Sequence, residues 1–175
     1  MNTIRTIETA RGTFIFRPER PEDERFLFEL FGAHNGIMLR QAGLPDAMIE
    51  TVLESQFRSQ TATYRNMYTN GIYSIIAFEG EEIGRFIEQD EVDVVCFVDF
   101  LLWPRYQAKG IGSAITRALM EEWGARGRGT RVEVMVSNEP CLKMCRRLGF
   151  SAGKPNQHAY VELRWYPPHL VPKKG

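Results

Sequence analysis

The longest apolar segment of the chain leads directly into a glycine-containing loop and a helix. Val92–Trp103 is rich in β-branched and aromatic residues and is interrupted by Asp93 and Asp99. Such a segment is typical of a central strand in a sheet that is covered on both faces. Its length also permits a bulge or a separation from a neighbouring strand. The chain is therefore predicted to be an α/β protein, with helices packed on a sheet.

Short strands and helices surround this segment in an order that fits one mixed sheet. The predicted strands besides 92–103 are 13–17, 72–78, 82–88, 131–136 and 159–165, and the predicted helices begin near Glu22, Pro45, Ser113 and Asn138. Three glycines in the stretch 32–43 predict a loop or a broken helix there. The stretch 166–175 contains three prolines and two lysines and is expected to be a solvated tail.

Composition excludes several classes of protein. The length of 175 residues fits a single domain over 1–175, with a core of about 13–165. Lys+Arg and Asp+Glu number 22 each, so no basic excess points to nucleic acid. The 3 cysteines are too few for a disulfide framework and favour a reducing compartment. Neither a signal peptide nor a run of about 18 apolar residues is present. We therefore predict a cytoplasmic protein with no nucleic-acid or membrane partner.

The sharpest local signal is the loop Gln107–Ser113, between the long strand and the next helix. Gly110 and Gly112 allow the backbone to approach a ligand, and the helix start supplies unpaired N–H groups, to which Lys109 adds a positive charge. This arrangement favours a phosphate or pyrophosphate, although a plain tight turn fits the two glycines equally well. A P-loop is excluded because Lys109 precedes Gly110, and a dinucleotide fingerprint fits poorly because Ile115 stands at its third glycine.

Two segments around this loop resemble a known superfamily. WPRYQAKGIGSAITRALMEEW resembles the Arg/Gln-x-x-Gly-x-Gly/Ala signature of the GNAT acyltransferases. Downstream, VEVMVSNEPCLKMCRRLGF is similar to the family's second block, in which an Asn begins a helix that ends in a Leu-Gly-Phe-like turn. Two motifs in this order are more specific than either alone. The resemblance implies an α/β (α+β) fold: a mixed central sheet of six to seven strands, four flanking helices and a splayed central strand.

The resemblance also implies a reaction and a set of cofactor contacts. The chain would be an N-acetyltransferase that transfers an acetyl group from acetyl-CoA to an amine by direct attack in a ternary complex. The implied acetyl-CoA contacts are Phe100, Leu101, Leu102, Gln107, Ala108, Lys109, Gly110, Ile111, Gly112, Ser113 and Asn138. The acceptor would be a small-molecule amine or a protein amine. The resemblance also suggests a homodimer, since members of the family are often dimers.

The chain departs from the family where a Tyr often acts as general acid. Three residues before a Leu-Gly pair it has Cys145. A thiol with a pKa near 8.5 can donate a proton, but it is shorter than Tyr. Cys145 is therefore a candidate acid, a packing residue or, less simply, a site of covalent acylation. Cys141 precedes it by one helical turn, but no His or further Cys lies nearby, so no metal site is expected.

Two carboxylates are candidates for the general base. Asp99 lies within the long apolar strand, and Glu133 lies between Val132 and Val134. Each is also interpretable as a salt-bridged or edge carboxylate. In some GNAT members that acetylate protein N-termini, a Glu at the place that matches Glu133 is the base.

Other interpretations remain open from sequence. Gln56 and Gln60 share the apolar stripe of the second helix, either as satisfied amides or at the border of a substrate cleft. The departure at Cys145 also suits a non-catalytic acyl-CoA-binding module or sensor. A third alternative is an α/β protein for a different phosphate ligand.

Overall fold

The computed structural model describes residues 3–170, which form one mixed sheet and four α-helices. The strands are β1 (Arg5–Thr9), β2 (Gly12–Pro18), β3 (Ile72–Phe78), β4 (Glu81–Asp90), β5 (Val94–Leu102), β6 (Gly129–Met135), β7 (Ser151–Pro155) and β8 (Tyr160–Trp165). The helices are α1 (Glu24–Gln41), α2 (Asp46–Met67), α3 (Ile111–Ala125) and α4 (Glu139–Arg147). The strand order is β1-β2-β3-β4-β5-β6-β8-β7.

The predicted fold class is confirmed, with more strands than the six to seven expected. The eight-stranded sheet includes β1 and β7 at its two edges, which the sequence pattern did not predict. Only Ile7 is buried in β1, and every residue of β7 is exposed. Edge strands such as these lack the alternating burial on which strand prediction depends.

The central strand separates from its neighbour, as the sequence predicts. β5 and β6 are parallel but pair only over Val94–Phe97 with Gly129–Val132. On its other side β5 is antiparallel to β4, and the register shifts beside Val98, so that Ile87 faces Asp99. The carboxyl-terminal half of β5 thus stays attached to β4 while it diverges from β6, which opens the sheet at its centre.

Helices cover both faces of the sheet. α3 packs one face with Ile115, Leu119 and Trp123, which join Phe86 and Phe97 in the main core. The other face is covered by α1 and α2 through a cluster of buried apolar side chains, namely Leu27, Phe31, Ile49, Leu53, Phe57 and Ile75. Full burial of one such side chain stabilises the fold by about 1.5–3 kcal/mol, so both layers contribute to holding the sheet between them.

The prediction of a loop or broken helix over 32–43 was wrong, because α1 continues to Gln41. Gly32 and Gly36 lie where α1 meets α2: a Cβ atom built on either would lie within 3.6 Å of Leu53 Cδ1. Both positions thus pack against α2, and this tertiary contact outweighs the low helix propensity of glycine.

The segment after β8 is partly packed. Pro167 is buried, and residues 168–170 form a short 3-10 helix, whereas the sequence predicts solvation throughout 166–175. The remainder of that stretch, 171–175, lies outside the described residues. Within residues 3–170, no helix has the length and apolar character needed to cross a bilayer.

Candidate active site

A cavity of about 410 Å³ opens where β5 and β6 separate. It brings together many of the site residues that the sequence predicts from three segments: the end of β5 with the following loop, β6, and the start of α4. The predicted residues that line it are Asp99, Phe100, Leu102, Gln107, Gly112, Glu133, Asn138 and Cys145. The remaining predicted residues, which do not line it, are Leu101, Ala108, Lys109, Gly110, Ile111 and Ser113.

The loop before α3 has a backbone that leaves amide groups free. Ala108 and Gly110 have φ values of +56° and +77°, and Gly110 is the N-cap residue without any side-chain cap. The amide of Ala114 donates to the Gly110 carbonyl at 3.0 Å, so helix geometry leaves the amides of Ile111, Gly112 and Ser113 without intrahelical acceptors. Together with the helix dipole, these donors form a site suited to an anion.

Two cations lie near these free amides. Lys109 belongs to the loop itself, and its Nζ stands 5.9 Å from the centre of the Tyr106 ring. Arg11 comes from the turn between β1 and β2: a Cβ atom built on Gly110 would lie 3.3 Å from its Nε. Ile111 is buried in the main core and anchors the start of α3 beside the loop. The loop thus combines a fixed backbone with positive charge.

Gln107 is exposed, but its side-chain amide contacts other residues of the protein. Its Nε2 donates to the Leu102 carbonyl at 2.9 Å and lies 2.9 Å from Nε2 of His34. The His34 ring nitrogen is itself 2.8 Å from the same carbonyl. Gln107 and His34 therefore fix the end of β5 against α1, which places the loop relative to the cavity.

The two candidate bases occupy different environments. Asp99 is held by Arg85, whose Nε and Nη2 lie 2.8 Å and 2.6 Å from its Oδ2. Glu133 is more open: half of its side-chain surface is exposed, and its contact with Arg131 Nη1 is 3.0 Å. Asp99 is thus a salt-bridged carboxylate, whereas Glu133 is more exposed, and both line the cavity.

Cys145 is a buried thiol on the α4 side of the cavity. Its hydrogen bond with Cys141 and its burial raise the pKa of the Cys145 thiol above its usual value. A thiol with a raised pKa gives up its proton less readily at neutral pH. Asn138, the N-cap of α4, accepts from the Cys141 amide at 3.3 Å, so it fixes the helix start while it lines the cavity.

Among the other residues that line the cavity, three are polar and were not singled out from the sequence. Tyr64 reaches it from α2, and burial together with the Asp99 carboxylate raises the pKa of its hydroxyl. Tyr160 reaches it from β8. Thr116 Oγ1 is buried and has no hydrogen-bond partner in the described part of the chain. Thr116 follows Gly112 by one helical turn and therefore lies on the same face of α3, so helical periodicity could have predicted its place in the cavity. No local sequence pattern predicts the place of Tyr64 or Tyr160.

The comparison with family models decides the family. The acetyltransferase (GNAT) family model matches residues 44–150, which is more than half of the chain. The chain belongs to the GNAT acetyltransferase family. Its glycine loop, the separated β5 and β6, and α4 all lie within or directly beside that match. A comparison with curated proteins found no match.

Solved structures share this GNAT fold at low sequence identity. RimL, a ribosomal L7/L12 alpha-N-protein acetyltransferase in complex with coenzyme A, is 15% identical with a TM-score of 0.63, over 93% of this chain and 98% of that one. The PaiA N-acetyltransferase of Thermoplasma acidophilum, in complex with coenzyme A, is 14% identical with a TM-score of 0.63, over 87% and 99%. The Microcin C7 self immunity acetyltransferase MccE, in complex with acetyl-CoA and AMP, is 15% identical with a TM-score of 0.56, over 87% and 90%. At such identities the likeness establishes the fold.

Proposed function

We propose that this GNAT chain transfers an acetyl group from acetyl-CoA to an amine in the cavity between β5 and β6. The observation that carries the proposal is the continuity between two features: the free amides at the start of α3, and the cavity at the separated strands. Gly112 belongs to both, because its amide is free and it lines the cavity. A long ligand with an anionic end and an uncharged arm fits this combination.

The residues present suit acetyl-CoA on three counts. The amides of Ile111–Ser113 and the nearby Arg11 and Lys109 would bind its pyrophosphate. The edge of β5 that no longer pairs with β6 offers backbone groups to the pantetheine arm. The unpartnered hydroxyl of Thr116 gives the cavity a buried polar group that a ligand would satisfy. The solved RimL, PaiA and MccE structures, which hold coenzyme A or acetyl-CoA, support the same donor.

The donor supplies a thioester carbonyl, which a neutral amine attacks to form an amide with release of a thiol. This chain's residues contribute first by holding both reactants in one cavity, which supplies much of the rate. Glu133 accepts the proton that the amine loses, directly or through water, since its carboxylate is exposed beside the cavity. Asp99 instead positions Arg85, to which it is tightly paired.

The thiolate that leaves must gain a proton, and Cys145 is a poor source because its hydrogen bond with Cys141 and its burial raise its pKa. We propose that water entering the open cavity protonates it. Such a scheme does not need the Tyr that the family often has at this place.

We also propose that the chain is a single domain and that it acts in the cytoplasm. The named activities of RimL and MccE leave both protein and small-molecule acceptors open to this chain.

A thermal-shift titration with acetyl-CoA, CoA, ATP and NAD tests donor binding. A ligand at 100 times its dissociation constant adds about 2.7 kcal/mol to the free energy of unfolding, so the midpoint should rise clearly with acetyl-CoA and CoA. Gly112→Asp should abolish the shift, because it puts a carboxylate at the anion site where a Cβ atom meets only Phe100 Cε1 at 3.9 Å.

The matched control is Gly153→Asp on the exposed strand β7, where a Cβ atom would lie 3.4 Å from the Glu162 carbonyl. This variant should keep the wild-type response to acetyl-CoA. Stabilisation by ATP or NAD in place of acetyl-CoA would refute the assignment and favour a different phosphate ligand.

A further inference from the structure

A second cavity lies on the α1 and α2 side of the sheet and meets the first at Tyr64. Its volume is about 390 Å³, and Tyr64 lines both cavities. Most of its wall is apolar, formed in part by the buried side chains of Leu27, Phe57 and Ile87. The proposed donor site does not use this space, so the second cavity is available to the acceptor.

Arg85 offers this cavity an unused donor. Its side chain is only 5% exposed and is held through Nε by Asp99 and through Nη2 by Gln60 Oε1 at 3.2 Å. Its Nη1 takes part in none of these contacts, and Arg85 lines the cavity. A guanidinium presents paired N–H groups that match a carboxylate.

Thr61 adds a second unsatisfied polar group to the same cavity. Its Oγ1 is buried and has no partner among the described residues, although a helical Thr commonly bonds a carbonyl one turn back. Thr61 and Arg85 both line the cavity, whose walls are otherwise mainly apolar. Two unfilled donors in one cavity indicate a ligand with acceptor oxygens.

The charges around the cavity specify which kind of oxygen. The lining includes four arginines, Arg20, Arg58, Arg65 and Arg85, but two glutamates, Glu19 and Glu24. Arg58, Arg65 and Arg85 are ion-paired with Glu54, Glu19 and Asp99, so the lining as a whole has no excess of positive charge. Among the charged residues of the lining only Arg85 is buried. The buried charge that a ligand would meet is therefore the Arg85 guanidinium, which favours an anionic oxygen over a second cation.

We propose that this cavity binds the acceptor, and that the acceptor is an α-amino acid with an apolar side chain. Its carboxylate would bind Arg85 Nη1 and Thr61 Oγ1, and its side chain would pack on the apolar wall. Because Tyr64 and the Arg85–Asp99 pair lie between the two cavities, this orientation directs the amine toward the separated strands. The inference rests on the proposed acetyl transfer and names its acceptor class.

The first test compares acceptors on the wild-type enzyme with acetyl-CoA. Phenylalanine, phenylalaninamide and phenylethylamine share an apolar side chain, and only the first has a carboxylate; glutamate keeps the carboxylate but has a charged side chain. We expect kcat/KM to be highest for phenylalanine and about tenfold or more lower for the others. In the presence of CoA, phenylalanine should also raise the thermal midpoint more than phenylethylamine does.

Two variants test the residues named. Arg85→Lys keeps a cation beside Asp99 but removes Nη1, and Thr61→Val removes a hydroxyl that bonds no described residue. Each should lower kcat/KM for phenylalanine by about tenfold while changing the value for phenylethylamine little. Arg126→Lys, at the far end of α3, is the matched control and should leave both values unchanged.

The outcomes separate the inference from the proposed function. The inference would be overturned if phenylethylamine were acetylated as fast as phenylalanine. It would also be overturned if both variants still preferred the acceptor with a carboxylate. In either case the proposed acetyl transfer would stand. Absence of both turnover and a thermal shift with phenylalanine would also overturn the inference. Failure of acetyl-CoA to bind at all would instead remove the proposed function on which it depends.

Discussion

At the scale of single residues, the three candidates for proton transfer lie in different environments. Asp99 is ion-paired with Arg85, and Glu133 has an exposed carboxylate beside the cavity. Cys145, which stands where the GNAT resemblance often has a Tyr, is buried, and its pKa is raised by its hydrogen bond with Cys141 and by burial. The three candidates are therefore a salt-bridged carboxylate, an exposed carboxylate and a buried thiol.

Replacement of Cys145 tests whether this thiol is more than packing. Cys145→Ala should lower kcat by less than about threefold and cost about 1 kcal/mol of stability, as for a small buried hydrophobe. Loss of a general acid would cost about a hundredfold or more. Cys96→Ala, a second buried free cysteine that does not line the cavity, controls for the loss of packing. Steady-state kinetics and urea unfolding on both variants supply the values, and a hundredfold fall in kcat confined to Cys145→Ala would contradict the packing role.

Individual elements were predictable where the sequence carries a local signal. The hairpin of β3 and β4, the amphipathic α3 and the Pro-initiated α4 follow directly from such signals. The exposed edge strands β1 and β7 carry none, and the continuity of α1 through its glycines depends on packing against a distant helix. Arg85 and Tyr64 also reach the site through tertiary contacts. Pairing of β4 with β5 places Arg85 there, and packing of α2 places Tyr64 there.

Substitutions at two glycines test whether α1 is continuous and whether β4 lies close to β5. Gly32→Ala should raise the free energy of unfolding by about 0.5–1 kcal/mol, because a methyl group fits 3.6 Å from Leu53 Cδ1 within a helix. Gly84→Ala should lower it by about 1–3 kcal/mol, since a Cβ atom would lie 2.3 Å from the Leu101 carbonyl oxygen. Urea unfolding measures both. Equal destabilisation by the two substitutions would contradict a continuous α1.

In the account proposed above, the molecule as a whole separates two tasks along one opening in its sheet. The α3 side presents free amides and positive charge, whereas the α1 and α2 side presents the cavity with Arg85. β5 runs between them, held to β4 along its length and to β6 only at its start. The family and its order of elements could be inferred from two local motifs, but this division depends on contacts between residues far apart in the chain.

The central claim is that the opening between β5 and β6 catalyses acetyl transfer rather than merely binding an acyl-CoA. The measurement that tests it most directly is the rate of CoA thiol release from acetyl-CoA as a function of added amine, with the acetylated product identified by mass spectrometry. Amine-dependent release should occur with the wild type and Gly153→Asp, disappear in Gly112→Asp, and fall about a hundredfold in Glu133→Gln. Tight binding of acetyl-CoA without amine-dependent release for any amine, phenylalanine included, would contradict the claim and favour a non-catalytic acyl-CoA-binding module.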